Sequence, residues 1–323
     1  MKATKILSLV LALILTLGAL TLTSCGNKAK YTVGICQYDR HPALDAATQG
    51  FKDALTAALG EDIAFDDQNA AGSTDTCATI VGTFVTKNVD LIMANATPAL
   101  VAARNATPDI PILGTSITEY GVALGIDNFT GTVGSNVSGT SDLANLENQA
   151  QMILDLFPET KTVGLLYCSS EANSDYQVKK VAEYLSAKGI TCNKYEFSDS
   201  NDVTTVTQKA AAECDALYIP TDNTAAACAE TIYGAMGDNK KPIIAGESGI
   251  CKGCGVAALS ISYYDLGYKT GEMAADILTG KADITTMAIA YAPQETKVYN
   301  PAVCADLGID TAALEAAGYR PIS

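Results

Sequence analysis

Residues 162–174 read T-V-G-L-L-Y-C-S-S-E-A-N-S. Val163 to Cys168 is a short, almost wholly apolar run, the pattern of a strand buried on both faces in a parallel sheet. Polar Ser169, Ser170, Glu171 and Asn173 come next. Val178, Val181, Ala182 and Leu185 then recur at helical spacing, giving the next helix one apolar face. Asn173 or Ser174 can act as N-cap, because a side-chain oxygen there takes up an unpaired backbone N–H. In an open α/β sheet, ligands sit just beyond the carboxyl ends of the strands. A carboxylate, an amide and a hydroxyl at that spot are either ligand-recognition groups or a well-capped turn.

The same alternation runs along the chain on both sides of this stretch. Upstream it predicts strand 31–37, a helix from Pro42 to about Gly60, strand 63–68, and a helix capped by Ser73. It continues with strand 90–94, a short helix after Thr97-Pro98, and strand 111–115. Ser116, Thr118 and Glu119 lie beyond the end of the last of these. Residues 120–142, rich in Gly, Asn, Ser and Thr, break the rhythm and read as the crossing out of a first lobe. The alternation then restarts: helix 143–156, strand 162–168, helix 173–188, strand 190–197, helix 202–212, strand 215–219, helix 223–236 and strand 242–245. Asp222 and Asn223 follow strand 215–219, and Glu247 follows strand 242–245. Two consecutive α/β lobes of Rossmann-like, doubly wound character predict a ligand cleft between their facing carboxyl edges.

The first 24 residues read as a signal peptide. Lys2 and Lys5 precede an apolar run from Ile6 to Leu20, and Leu22-Thr23-Ser24-Cys25 completes a lipobox. Cys25 is then the lipidated residue of a chain tethered to the outer face of a bacterial cytoplasmic membrane. Residues 25–30 form its linker. Loss of Lys2 and Lys5 takes the net charge from -15 to -17. So acidic a surface argues against nucleic-acid binding, which needs Lys and Arg for phosphates. Nine further cysteines, an odd number, cannot all pair. Cys251 and Cys254 have redox or metal spacing, but no second pair or nearby His completes a metal site; a local disulfide or two idle thiols is expected. A single histidine, His41, and no Gly-x-Ser-x-Gly motif argue against an enzyme. No cofactor is expected, since the Gly-rich 131–139 segment lacks the spacing of a phosphate loop.

Several spaced motifs carry a resemblance. They are Gln37-Tyr38-Asp39-Arg40-His41-Pro42-Ala43-Leu44, Thr97-Pro98, Gly139-Thr140-Ser141-Asp142, Glu171-Ala172-Asn173-Ser174, Asp222-Asn223 and Tyr263-Tyr264-Asp265-Leu266-Gly267. With them the chain resembles the substrate-binding lipoproteins of ABC transporters, in the branch associated with tryptophan and tyrosine uptake. It departs from that pattern where Thr118-Glu119-Tyr120 replaces Thr-Asp-Pro. The resemblance implies a periplasmic-binding-protein-like I fold with three crossings. Lobe 1 would comprise 31–142 plus about 262–289, and lobe 2 143–261 plus about 290–323. It also implies a monomer that closes on a small ligand, an aromatic amino acid, and partners in a permease and an ATPase on other chains. A sensor or adhesin using the same cleft, or a sugar or nucleoside ligand, are the alternatives.

An amino acid's ammonium needs a carboxylate, with Asp222 the first candidate and Glu171 the second. Its carboxylate needs hydroxyls and helix N-termini, for which Thr97, Ser116, Thr118 and Ser141 are candidates. An aromatic side chain would want a ring, with Tyr38, Tyr120 and Tyr167 near strand ends. Gln37, Asp142, Asn173, Ser174, Asn223 and Glu247 complete the expected site. His41, beside Pro42 at a helix entry, reads as structural.

Overall fold

The computed structural model describes residues 29–292 and 294–322. The leader, the lipobox and Cys25 lie outside the described residues. The chain opens as β1 (Tyr31–Gln37), α1 (Pro42–Leu59), β2 (Ile63–Asn69), α2 (Thr74–Lys87), β3 (Leu91–Asn95), α3 (Thr97–Ala106), β4 (Ile112–Ile117), α4 (Tyr120–Leu124) and β5 (Val137–Ser141). It then passes to α5 (Leu146–Leu156), β6 (Thr162–Cys168), α6 (Ala172–Ala187), β7 (Thr191–Phe197), α7 (Val203–Glu213), β8 (Ala216–Ile219), α8 (Asn223–Ala227), α9 (Ala229–Ala235), β9 (Ile243–Ala245), α10 (Ser248–Gly253) and β10 (Ala257–Ser260). The last part is α11 (Tyr263–Leu278), β11 (Ala290–Tyr291), β12 (Thr296–Tyr299), α12 (Pro301–Asp306), α13 (Thr311–Ala316) and β13 (Arg320–Pro321).

Two sheets result. The first is parallel throughout, in the order β11-β5-β4-β3-β1-β2. The second runs β13-β12-β10-β9-β8-β6-β7 and is parallel except where β12 meets β10. Strand order reverses between β1 and β3 in one sheet and between β6 and β8 in the other. Such reversals open a crevice at the carboxyl edge, where the loops on either side turn to opposite faces. Central strands such as Leu91–Asn95 and Ala216–Ile219 are buried along their whole length. They can be, because helices cover both sheet faces.

Helix α11 crosses back onto the first lobe and lies against α1 at backbone distance. A Cβ on Gly267 would stand 1.9 Å from the Ala47 carbonyl oxygen, and one on Gly50 would stand 2.1 Å from that of Tyr264. Only glycine permits that approach. The return fixes Tyr263, the first residue of α11, at the cleft. Next, β11 pairs with β5 in the first sheet, while β12 pairs with β10 in the second. The chain therefore changes lobes after Tyr291, two residues beyond the expected start of the second-lobe segment at 290.

Local readings need three corrections. Residues 120–142 are not simply a crossing, since they contain α4 and the inner strand β5. That strand, Val-Ser-Gly-Thr-Ser, lacks an apolar run because it packs by backbone closeness: Gly139 has φ +142° and a Cβ there would meet the Gly114 carbonyl oxygen at 2.0 Å. The expected helix 223–236 breaks at Cys228 into α8 and α9. Glu171, rather than Asn173 or Ser174, holds the N-cap position of α6. Of the two outcomes expected for Cys251 and Cys254, the structure has the free thiols, buried and bonded to the carbonyls of Gly255 and Ile250.

Candidate functional site

The carboxyl edges of the two sheets meet around a tight cavity of about 10 Å³. From the first lobe come His41, Leu44, Ser116, Thr118, Asp142 and Tyr263; from the second come Asn173, Thr221, Asp222 and Asn223. Among the described residues, no Lys or Arg lines it. The order of β4 against β5 shifts between Gly114 and Ile117, and within that irregularity Ser116 has φ +56°. A bulge re-aims a side chain, and a left-handed non-glycine residue stores about 1–3 kcal/mol of strain. The Ser116 hydroxyl that results is 7% exposed and has no hydrogen-bond partner.

Asp142 is the charged group left available. It is 3% exposed; Oδ2 accepts the Tyr263 hydroxyl at 2.9 Å, while Oδ1 has no partner. Burial pushes its carboxyl up to about 6, with the Tyr263 and Thr118 hydroxyls and its own backbone N–H opposing and the Glu247 carboxylate adding to the rise. Burial and Asp142 in turn raise the Tyr263 phenol well above its ordinary range. On the facing wall, the Asn173 amide donates to the Thr221 carbonyl at 3.0 Å and leaves Oδ1 unpaired. An unpaired buried polar atom costs about 1–3 kcal/mol. The cavity collects four: Ser116 Oγ, Asp142 Oδ1, Asn173 Oδ1 and His41 Nδ1.

The two carboxylates expected to hold an ammonium are otherwise engaged. Asp222 accepts the backbone N–H of Ala225 on Oδ1 and that of Cys168 on Oδ2, both at 2.7 Å. It lines the cavity but serves as the N-cap of α8, and burial together with Glu171 raises its pKa. Glu171 does not line the cavity. Its Oε2 accepts the Asn223 backbone and amide N–H at 3.0 and 2.6 Å, and its Oε1 accepts Thr224 N and Oγ1 at 2.9 and 2.8 Å. Having no duty at its own helix, it closes the start of α8.

Of the remaining expected residues, Ser116, Thr118, Asp142, Asn173 and Asn223 reach the cavity wall, and six do not. Gln37 turns onto α1, bonding Thr48, Asp45 and the Asp39 carbonyl. Tyr38 packs in the first-lobe core. Thr97 is a buried helix start. Ser141 donates to the Thr118 carbonyl at 2.8 Å, and Ser174 accepts the Asn173 amide at 3.3 Å. Glu247 caps α10 through the N–H groups of Gly249 and Ile250. Of the other tyrosines, Tyr167 hydrogen-bonds Glu196 at 2.5 Å. Tyr120 is a buttress: its hydroxyl bonds the carbonyls of Gly114 and Thr140 at 3.1 Å each, and its ring stacks on Phe129. Thr118-Glu119-Tyr120 thus bears on the bulge behind Ser116, with Glu119 capping α4. Sequence reasoning missed His41, Leu44, Thr221 and Tyr263 as wall residues. Thr221 stands beside Asp222 and could have been included; Tyr263 arrives only through the return of α11.

Residues 32–314 match the family model described as ABC transporter substrate binding protein. The chain belongs to that family. Its members bind rather than transform their substrates, and membership implies a place of work outside the cytoplasm, at the membrane. Over 299 residues the binding protein is 35% identical to the tyrosine-binding protein of Clostridioides difficile (strain R20291), covering 87% of this chain and 86% of that one. It superposes with a TM-score of 0.84 on a Streptococcus pneumoniae ABC domain in complex with L-Trp, at 29% identity, covering 90% of this chain and 99% of that one. On the ligand-free, open structure of a Clostridium difficile substrate-binding protein with adhesive properties, the TM-score is 0.68 at 36% identity, covering 91% and 100%. Higher identity goes with poorer superposition, as expected when lobe disposition and not lobe structure differs. The binding protein superposes better on the tryptophan complex than on the ligand-free, open structure.

Proposed function

We propose that this binding protein captures an aromatic amino acid between its lobes and delivers it to an ABC importer. The observation that carries the reading is Asp142, a nearly fully buried carboxylate with one oxygen unpaired, in a cavity without Lys or Arg among the described residues. A ligand ammonium supplies what that oxygen lacks, and a charge-assisted bond in a dry site is among the stronger ones available. The Ser116 hydroxyl is free to donate to the ligand carboxylate, and Leu44 and Tyr263 offer apolar surface for a side chain. The tyrosine-binding relative and the tryptophan-bound one support an aromatic side chain over an aliphatic one. Lipid on Cys25 would tether the protein beside its permease and ATPase.

A thermal-shift screen against amino acids, nucleosides and sugars tests this, because a ligand that binds only the folded state raises Tm with its concentration. The expected result is a shift with tyrosine, tryptophan or phenylalanine. A shift with a sugar or nucleoside alone would keep the binding protein and discard the amino-acid site.

A further inference from the structure

His41 caps the start of α1 in extended conformation but makes no side-chain cap bond. Its ring points across the cleft, where Nε2 lies 3.3 Å from Asn223 Oδ1 of the second lobe. Which nitrogen carries the proton follows from the next bond outward. The Asn223 amide nitrogen donates to the Glu171 carboxylate at 2.6 Å, so the amide is oriented with Oδ1 toward the ring. A carbonyl oxygen only accepts, so the ring must present N–H at Nε2. In the neutral imidazole Nδ1 is then a bare acceptor. That atom is buried and unpartnered, and His41 is one of the residues that line the cavity.

Asp142 Oδ1 and Asn173 Oδ1 are acceptors in the same condition, on residues that line the same cavity from the two lobes. A primary ammonium has three N–H donors and accepts nothing. Resting on the amino-acid reading above, we infer that His41 Nδ1 is the third acceptor for the ligand ammonium, beside Asp142 and Asn173, while its Nε2–H clasps the second lobe through Asn223. One ring then reads the ligand and closes the cleft, coupling recognition to lobe closure. His41 is a specificity residue in this arrangement rather than a helix-entry residue.

Two substitutions separate the two nitrogens. His41→Gln keeps a donor near the Nε2 position and removes the acceptor at Nδ1; His41→Asn keeps an acceptor near Nδ1 and loses the reach to Asn223. Affinities of the purified protein are measured for L-tyrosine, L-tryptophan and L-phenylalanine, and for their des-amino analogues by competition. Glutamine at position 41 is expected to weaken the amino acid about ten- to hundredfold and leave the analogue nearly unchanged. Asparagine is expected to weaken both by a similar factor. Where His41→Gln does not fold, as judged by its melting transition, His41→Ala should show the same loss of discrimination. Undiminished discrimination in the glutamine or alanine variant overturns the inference and leaves the amino-acid reading standing. A wild-type protein that binds none of the three amino acids overturns both.

Discussion

On the second lobe, Glu171, Asp222 and Glu247 have both carboxylate oxygens bonded to backbone N–H groups, alone or with side-chain donors. On the first lobe, Asp142 keeps Oδ1 unpaired and Ser116 keeps its hydroxyl unpaired, although both are nearly as well buried. The difference lies in whether a helix start is within reach. Asp222 and Glu247 stand immediately before α8 and α10, whose first N–H groups have no partner within the helix. Asp142 is followed by a short extended piece, and Asn145 caps α5 in its place. A carboxylate within reach of a helix start is consumed by it, as Glu171 is by α8 rather than by its own α6. One set apart from a helix start remains for a ligand.

The sharpest way to break this contrast is Asp142→Asn. The amide keeps an oxygen for Tyr263 but removes the charge, and affinity for an aromatic amino acid should fall about a hundredfold or more in calorimetric titration. Unchanged affinity would mean that the unpaired oxygen is not the ammonium site.

Asp222→Ala probes the other wall. It should cost about 1–3 kcal/mol in urea unfolding through the lost cap and the orphaned Cys168 N–H. Its effect on affinity should be at least about tenfold smaller than that of Asp142→Asn. A collapse of affinity with stability intact would restore Asp222 as the ligand's partner.

The smallest expected effect is that of pH. Burial holds the Asp142 carboxyl up at about 6, and an ammonium would favour its ionised form. Binding therefore displaces a proton below that value, so affinity should be steady above pH 6 and fall by up to about tenfold per unit beneath it. Titrations between pH 4.5 and 8 check the sign, and Asp142→Asn should flatten the profile. An affinity that rises on acidification would contradict the assignment.

Much of this was legible in the residues themselves. Strand 162–168 is found within the bounds its apolar run predicts, and Ser73 caps α2 as its spacing before the helix predicts. Ser116, Thr118, Asn173, Asp222 and Asn223 were marked by their place after a strand and Asp142 by the motif Gly139-Thr140-Ser141-Asp142, and all line the cavity. Their division into ligand groups and caps was not legible, because a helix start and a binding site ask for the same side chains. Nor was β5, whose small polar residues carry no period and whose packing depends on Gly114 and Gly139 lying nearly in contact.

By itself the sequence determined two α/β lobes with polar groups at their carboxyl edges, since hydrophobic period and capping are local properties written every few residues. Tertiary structure alone decided which polar atoms stayed unpaired. Tyr263 meets Asp142 across 121 positions and His41 meets Asn223 across 182. The satisfaction of a buried polar atom is set by its neighbours in space, and those neighbours come from the crossings of the chain between lobes.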